Sequence, residues 1–237
     1  MEEITIAEVL RDEGFACGLF GKWHLGSMSR LERDGKRGGI PKFEPHYTTP
    51  DEHGFDRYFC TESKVPTWDP YRQAVPDGLS DPDPPKKFWD AADVAEPRPY
   101  DYYGTAYWSF AAGDHNKTRV PEDQLRGDDS AIIMDRALAY LEQQVAANRP
   151  VFMVIWFHAP HRPVVSNRSL WSPDFDSMGN MAQNYYGSLR GVDEQMGRLR
   201  AALRQHGIAN ETLLFFTSDN GWLVGWHGGG GGGGGRK

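Results

Sequence analysis

Three short apolar runs, each followed at once by polar residues, constrain the fold of this chain most. The runs cover residues 15–20, 151–157 and 212–217. Uninterrupted apolar runs of this length are typical of strands that are covered on both faces of a sheet. A helical pattern precedes each run, and this alternation predicts an α/β fold with a mostly parallel sheet flanked by helices.

The three predicted helices have recognisable ends. Thr5 and Glu8 have the spacing of a capping box, which begins the first helix. Glycine or an Asn-Arg-Pro sequence closes each helix, as expected for residues that cannot continue a helical pattern. The predicted helices cover residues 5–13, 128–147 and 183–206.

A long stretch between the first strand and the second helix, residues 27–121, is rich in proline, glycine, aspartate and aromatic residues. This composition predicts that much of the stretch is loop, and the many aromatic side chains indicate a packed, irregular excursion that either shapes a substrate pocket or serves structural packing alone. We interpret residues 1–227 as one domain. Residues 228–237 begin with an unbroken glycine tract, which predicts a flexible tail.

Charge and hydropathy argue against two classes of partner. The chain of 237 residues has 26 basic and 33 acidic side chains, a net charge of -7, whereas a nucleic-acid surface needs a basic excess. The longest apolar run is far shorter than the roughly 20 residues that span a bilayer. We therefore expect no nucleic acid and no membrane span. The residues after Met1 also lack the pattern of a signal peptide.

The polar residues after the first apolar run are suited to bind an oxyanion. Lys22 and His24 are two residues apart, so on an extended segment both side chains point to one side. Trp23 then points the other way and packs. A fixed positive charge and an imidazole can therefore converge on one anion. The alternative is a strand that ends in a solvated lysine and a hydrogen-bonded histidine.

The polar residues after the other two runs indicate proton transfer and cation binding. His158 and His161 follow the second run, and either could protonate a leaving oxygen or satisfy local backbone groups. Asp219 and Asn220 follow the third run and offer oxygen ligands suited to calcium or magnesium. Asp-Asn-Gly is also a common turn sequence, and two side chains cannot fill a shell of six or more ligands.

Taken in order, these motifs resemble those of the sulfatase family. Residues 14–26 resemble its Gly-Lys-Trp-His-Leu-Gly signature, with Phe15 and Cys17 at positions where the family has Tyr and Thr. The other similar segments follow in the family's order: residues 53–56, 159–163, 185–199 and 217–221. The resemblance implies an alkaline-phosphatase-like fold that hydrolyses sulfate monoesters of small molecules or glycans.

The resemblance also implies roles for individual residues. Sulfatases bind a divalent cation, usually calcium, with four acidic or amide side chains, and Asp219 and Asn220 match two of them. Lys22 and His24 match the basic pair around the nucleophile and the sulfate. His161 matches the histidine that is thought to protonate the leaving alcohol.

The chain departs from the family pattern in several places. The family's Asp-Asp pair and its Cys-x-Pro-Ser-Arg motif, whose Cys or Ser becomes the formylglycine nucleophile, do not occur. Cys17 and Cys60 stand in other sequences. Lys237 lies at about the distance of a further sulfate-binding lysine, but the glycine tract precedes it. We therefore predict a domain without its first strand and C-terminal subdomain, inactive on its own.

Two alternatives to a sulfatase stay open at this point. One is a phosphate or phosphonate monoester hydrolase of the same fold, and the other is a non-catalytic sulfate- or glycan-binding remnant. For a full-length parent, the family implies a formylglycine-generating enzyme as a partner. It also implies a secretory, lysosomal or extracellular location.

Overall fold

The computed structural model of the chain describes residues 3–29, 47–70, 106–114, 116–161 and 164–220, with residues 180 and 181 described by their backbone alone. Lys237, the glycine tract and most of the aromatic excursion lie outside the described residues. The predicted division into residues 1–227 and 228–237 stays a prediction for the same reason.

The described residues form three α-helices and five strands. The helices are α1 Ile6–Asp12, α2 Asp129–Ala146 and α3 Gly179–Gln205. The strands are β1 Ala16–Lys22, β2 Arg57–Thr61, β3 Tyr107–Ala111, β4 Thr118–Arg119 and β5 Val151–Trp156. Short 3₁₀ turns connect several of these elements.

The strands form one sheet in the order β4-β3-β2-β1-β5. β1 pairs in parallel with β2 on one side and with β5 on the other. The pairs β2–β3 and β3–β4 are antiparallel. The predicted α/β fold with flanking helices is therefore confirmed, and the sheet is a mixed one whose parallel part is β2, β1 and β5.

The first two predicted helices form where the sequence places their ends, whereas α3 begins at Gly179, four residues before the predicted start at residue 183. Thr5 begins α1 with a capping box, in which its hydroxyl accepts from the Glu8 N–H at 3.2 Å and the Glu8 carboxylate accepts from the Thr5 N–H at 2.7 Å. The Asp128 carboxylate caps α2 by accepting from the Ala131 N–H at 3.0 Å. Within the described residues, no helix is long and apolar enough to cross a membrane.

Apolar residues of β1 are buried on both faces of the sheet. Consecutive strand residues point to opposite faces, so Phe20 packs beneath α2 and α3 while Leu19 packs on the other face, beside α1. The cluster on the α2 side includes Phe20, Phe59, Tyr107, Ile133 and Leu141. The cluster on the α1 side includes Cys17, Leu19, Tyr58 and Trp108. Burial on both faces explains why the first apolar run is uninterrupted.

Residues 27–121, much of which is predicted to be loop, also contribute three short strands to the sheet. β2, β3 and β4 lie inside this stretch and extend the sheet beyond β1. β2 is only five residues long and its partner β3 is about as short. Segments this short show little periodicity in the sequence. Their stability comes from cross-strand pairs between residues that are distant in sequence, so a local pattern does not reveal them.

The third apolar run also differs from its prediction. Residues 212–217 form no strand, and Leu213 and Phe215 are 81% and 80% exposed. β5, predicted to be covered on both faces, is an edge strand of the described sheet and is only partly buried. A strand needs a neighbour for its backbone groups. In the described part of the chain β5 has a neighbour on one side only, and the third run has none.

Replacing Phe215 by alanine should therefore change the free energy of unfolding by less than about 0.5 kcal/mol, as is usual at exposed sites. Phe20→Ala is the matched control. Phe20 is 1% exposed, so its truncation should cost roughly 3–5 kcal/mol. Denaturant unfolding of both variants measures the difference. A loss of several kcal/mol in Phe215→Ala would show that this run is a buried strand in solution.

Candidate functional site

The polar segments that follow β1, β2 and β5 lie at one edge of the sheet. The three strands are parallel, and near their carboxyl ends Gly21 is opposite Trp156 and Lys22 is opposite Thr61. β3 is antiparallel to β2, so its first residue, Tyr107, is also opposite Thr61. Ligand sites of open α/β sheets are generally found at this edge. The structure thus brings the predicted oxyanion segment and the predicted proton-donor segment to the same edge.

The Lys22–His24 segment is held by backbone hydrogen bonds to the end of β2. The Trp23 N–H donates to the Thr61 carbonyl at 2.8 Å, and the His24 N–H donates to the Glu62 carbonyl at 2.9 Å. His24 has a positive φ of 54°, which is uncommon for a residue other than glycine. This conformation turns the chain away from the strand direction at the point where the predicted anion site begins.

Gly21 fixes the close approach of β1 to β5 just before this turn. Its φ is 109°, and a Cβ atom at this position would lie 1.9 Å from the Trp156 carbonyl oxygen. Since even alanine could not fit without moving β5 away, a glycine is required here. Lys22, the next residue, is half-buried, and His24 is exposed at the sheet edge.

Trp23 packs away from the solvent, as the alternation along an extended segment predicts. It is 3% exposed, and its indole N–H donates to the Thr48 carbonyl at 2.9 Å. The indole ring stacks on that of Trp156, with ring centroids 6.5 Å apart. The buried indole therefore anchors the segment that carries Lys22 and His24.

Glu62, which sequence reasoning did not identify, organises the loop after His24. Its carboxylate is buried and accepts from the Ser27 hydroxyl at 3.2 Å and from the Met28 N–H at 3.0 Å. Its carbonyl accepts from the His24 N–H. No local sequence signal marks this glutamate, because its partners are more than thirty residues away in the chain.

His158 is the centre of a buried polar cluster, which we call the buried histidine network: Thr61, Tyr107, Asp129 and His158. The His158 Nδ1 lies 2.8 Å from the Asp129 carboxylate, and its Nε2 lies 2.7 Å from the Thr61 hydroxyl. The Tyr107 hydroxyl donates to the other Asp129 oxygen. Burial, reinforced by the Asp129 carboxylate, raises the pKa of Tyr107 well above its ordinary value, so the tyrosine stays a hydroxyl donor.

The two histidines after β5 have different surroundings, which the sequence left undecided. His158 is 2% exposed and both of its ring nitrogens face protein groups, so it cannot meet a substrate. His161 is exposed, and its backbone N–H donates to the His158 carbonyl at 2.7 Å. Of this pair, only His161 is placed to reach a bound ligand, and its role in proton transfer stays a prediction.

Asp219 and Asn220 are exposed and lie in a bend after the third apolar run. The Ser218 hydroxyl donates to the Asn220 carbonyl at 2.5 Å, a contact that shapes this bend. Because residues 212–217 form no strand, no strand carries the pair to the edge that holds Lys22. Among the described residues, no group of three or more His, Cys, Asp or Glu side chains could hold a metal ion. The predicted ligand pair thus has suitable oxygens, and the described residues do not complete a shell.

Comparison with known proteins identifies the family of this chain. The family model described as Sulfatase matches residues 2–236. This chain belongs to the sulfatase family. The expectation from its motifs is thereby confirmed.

Known sulfatases resemble the chain over most of its length. It is 27% identical over 221 residues to the N-acetylgalactosamine-6-sulfatase of Canis lupus familiaris, covering 93% of this chain and 33% of that protein. It is 23% identical over 231 residues to the uncharacterized sulfatase YdeN of Escherichia coli, covering 94% of this chain and 34% of that protein. The chain therefore spans about a third of the length of these curated relatives.

Solved structures show that the fold is shared with other sulfatases. The PsFucS1 sulfatase from Pseudoalteromonas sp. has a TM-score of 0.52 at 19% identity, and the match covers 86% of this chain and 35% of that one. A Bacteroides thetaiotaomicron structure, BT33336S-sulf, has a TM-score of 0.54 at 20% identity, covering 93% and 46%. The alkaline-phosphatase-like fold predicted from the sequence agrees with these neighbours.

The cysteines of this sulfatase-family chain should be unreactive in the folded state. Cys17 and Cys60 are both fully buried. Burial, together with the nearby Asp56 carboxylate, raises the pKa of Cys17 to about 11, and only the thiolate is nucleophilic. We expect no thiol to react with a chromogenic disulfide reagent at pH 7.5 within minutes, and two to react after unfolding in guanidinium chloride. Rapid labelling of Cys17 in the native protein would contradict its burial in the core.

Proposed function

We propose that the protein to which these residues belong hydrolyses sulfate monoesters, and that the edge formed by Lys22, His24 and His161 binds the sulfate and the leaving group. The observation that supports this most is the placement of the two basic segments at the same carboxyl edge of parallel strands. Membership of the sulfatase family favours sulfate over phosphate as the bound ester.

The proposed roles follow from the chemistry of sulfate ester cleavage. The anion carries its charge on oxygen atoms, and a half-buried lysine interacts more strongly with it than a solvated one, because the local dielectric is lower. Lys22 and His24 supply donors to these oxygens. When the ester bond breaks, the leaving oxygen needs a proton, and the exposed imidazole of His161 can donate it.

Two further groups are part of the proposal because the family implies them. A divalent cation, expected to be calcium, would be held in part by the oxygens of Asp219 and Asn220, and would neutralise charge on the bound sulfate. A formylglycine nucleophile, produced by a formylglycine-generating enzyme, would supply the attacking oxygen. We propose Lys237 as a further sulfate ligand.

The substrate class that we propose is a sulfated sugar or glycan. The relatives from dog and pig are N-acetylgalactosamine-6-sulfatases, which are 27% and 28% identical to this chain. A structural neighbour with a TM-score of 0.51, Ps i-CgsB, was solved in complex with the oligosaccharide k-i-k-neocarrahexaose. These names support a carbohydrate as the alcohol part of the ester.

Sulfate binding tests the site without depending on turnover. Titration calorimetry with sodium sulfate at constant ionic strength should show binding that Lys22→Ala or His161→Ala weakens. Loss of a charge-assisted hydrogen bond of about 1.5–3 kcal/mol corresponds to roughly tenfold to hundredfold weaker binding. Arg149→Ala is the matched control, because Arg149 precedes β5 and lies at the opposite edge of the sheet. It should bind sulfate like the wild type.

The chain of 237 residues should not hydrolyse an aryl sulfate, because its sequence lacks the nucleophile motif. Equal loss of sulfate binding in the Lys22 and Arg149 variants would contradict the proposed site. Phosphate that binds much more tightly than sulfate would favour a phosphoester instead.

A further inference from the structure

We infer that the buried histidine network is a positioning device that holds the Lys22–His24 segment and the His161 segment in a fixed relation, with Thr61 as the residue that joins them. The inference rests on the proposed function, because the two segments need a fixed spacing only if they bind the same ligand. The residues of the network do not contact the substrate. They hold in place the segments that carry the proposed sulfate-binding residues.

Thr61 contacts both segments through different atoms. Its carbonyl accepts from the Trp23 N–H at 2.8 Å, which fixes the backbone between Lys22 and His24. Its hydroxyl lies 2.7 Å from His158 Nε2 and donates to the Ser63 carbonyl at 2.6 Å. A single buried residue at the end of β2 thus connects the segment after β1, through its carbonyl, with the segment after β5, through its hydroxyl.

His158 carries this connection on to His161. The His158 carbonyl accepts from the His161 N–H at 2.7 Å, so the position of the His158 backbone sets that of His161. The imidazole is held at both nitrogens, by Thr61 on one side and by Asp129 at the start of α2 on the other. Rotation of the ring would break both contacts at once. The loop that carries His161 is therefore tied to β2 and to α2.

The network has a defined set of donors and acceptors around the His158 ring. The single hydroxyl proton of Thr61 goes to the Ser63 carbonyl, so His158 Nε2 donates to the Thr61 oxygen. The Asp129 carboxylate accepts from the Tyr107 hydroxyl with one oxygen, and its other oxygen lies 2.8 Å from His158 Nδ1. Buried polar groups therefore hold the imidazole at both ring nitrogens. Removing either partner would leave a buried polar group without its hydrogen bond, which is costly.

The polar groups that contact His158 come from three different elements. They are Thr61 from β2, Tyr107 from β3 and Asp129 from α2, and the Tyr107 ring meets the imidazole edge-on with centroids 5.9 Å apart. Asp129 is the one carboxylate in direct contact with the ring among the described residues.

Thr61→Val tests the inference, because valine has the shape of threonine and lacks the hydroxyl. We expect sulfate to bind roughly tenfold or more weakly, since small displacements of positioned groups have large effects. The side-chain NMR signals of His24 and His161 should both shift. Thr61→Ser retains the hydroxyl and should restore both properties.

Thr67→Val is the matched control. The Thr67 hydroxyl is equally buried and bonds to the backbone of Val165 at 2.7 Å, outside the network. The Thr67→Val variant should have a lower thermal stability, and its NMR signals of His24 and His161 should not shift. If Thr61→Val does not fold, Tyr107→Phe replaces it. That variant keeps the ring stacked on Phe59 and loses only the hydroxyl bonded to Asp129, and it should shift the same signals.

Unchanged histidine signals and sulfate affinity within twofold of wild type in folded Thr61→Val would overturn the inference. Failure of the proposed function would give a different result, because the wild-type protein would then bind no sulfate. The NMR shifts of His24 and His161 in Thr61→Val would still show whether the network positions the two segments.

Discussion

The parallel pairing of β1 with β2 and β5 is the constraint on which the rest of the structure depends. It places the carboxyl ends of three strands together, and each strand is followed by a segment of the proposed site. Gly21 makes this pairing tight, because no side chain fits between β1 and the Trp156 carbonyl. The direction and register of the strands thus determine where the proposed site lies, and the loops have a smaller part in its position.

Much of this arrangement can be predicted from the sequence. The capping box at Thr5, the acidic cap at Asp128 and the uninterrupted run of β1 are local signals, and the structure agrees with each. The packing of Trp23 follows from simple alternation along an extended segment. Two parallel strands with a helix between them also predict that Lys22 and His161 lie at one edge.

Other features depend on contacts that no local pattern reveals. β2 and β3 stabilise each other across nearly fifty residues, and Glu62 binds a loop more than thirty residues away. The position of the His158 ring depends on Thr61 and Asp129, which are distant from it in the chain. Residues 212–217 have the composition of a buried strand and lie exposed, because composition alone does not supply a neighbouring strand.

A crystal structure of the chain soaked with selenate tests the central claim most directly, because selenium gives an anomalous signal that locates a sulfate-like anion. The account predicts a peak at the carboxyl edge of β1 and β5, with the anion oxygens about 3 Å from Lys22 Nζ and from the imidazoles of His24 and His161. A well-occupied anion elsewhere, with this edge empty, would contradict the assignment of a sulfate site to these residues.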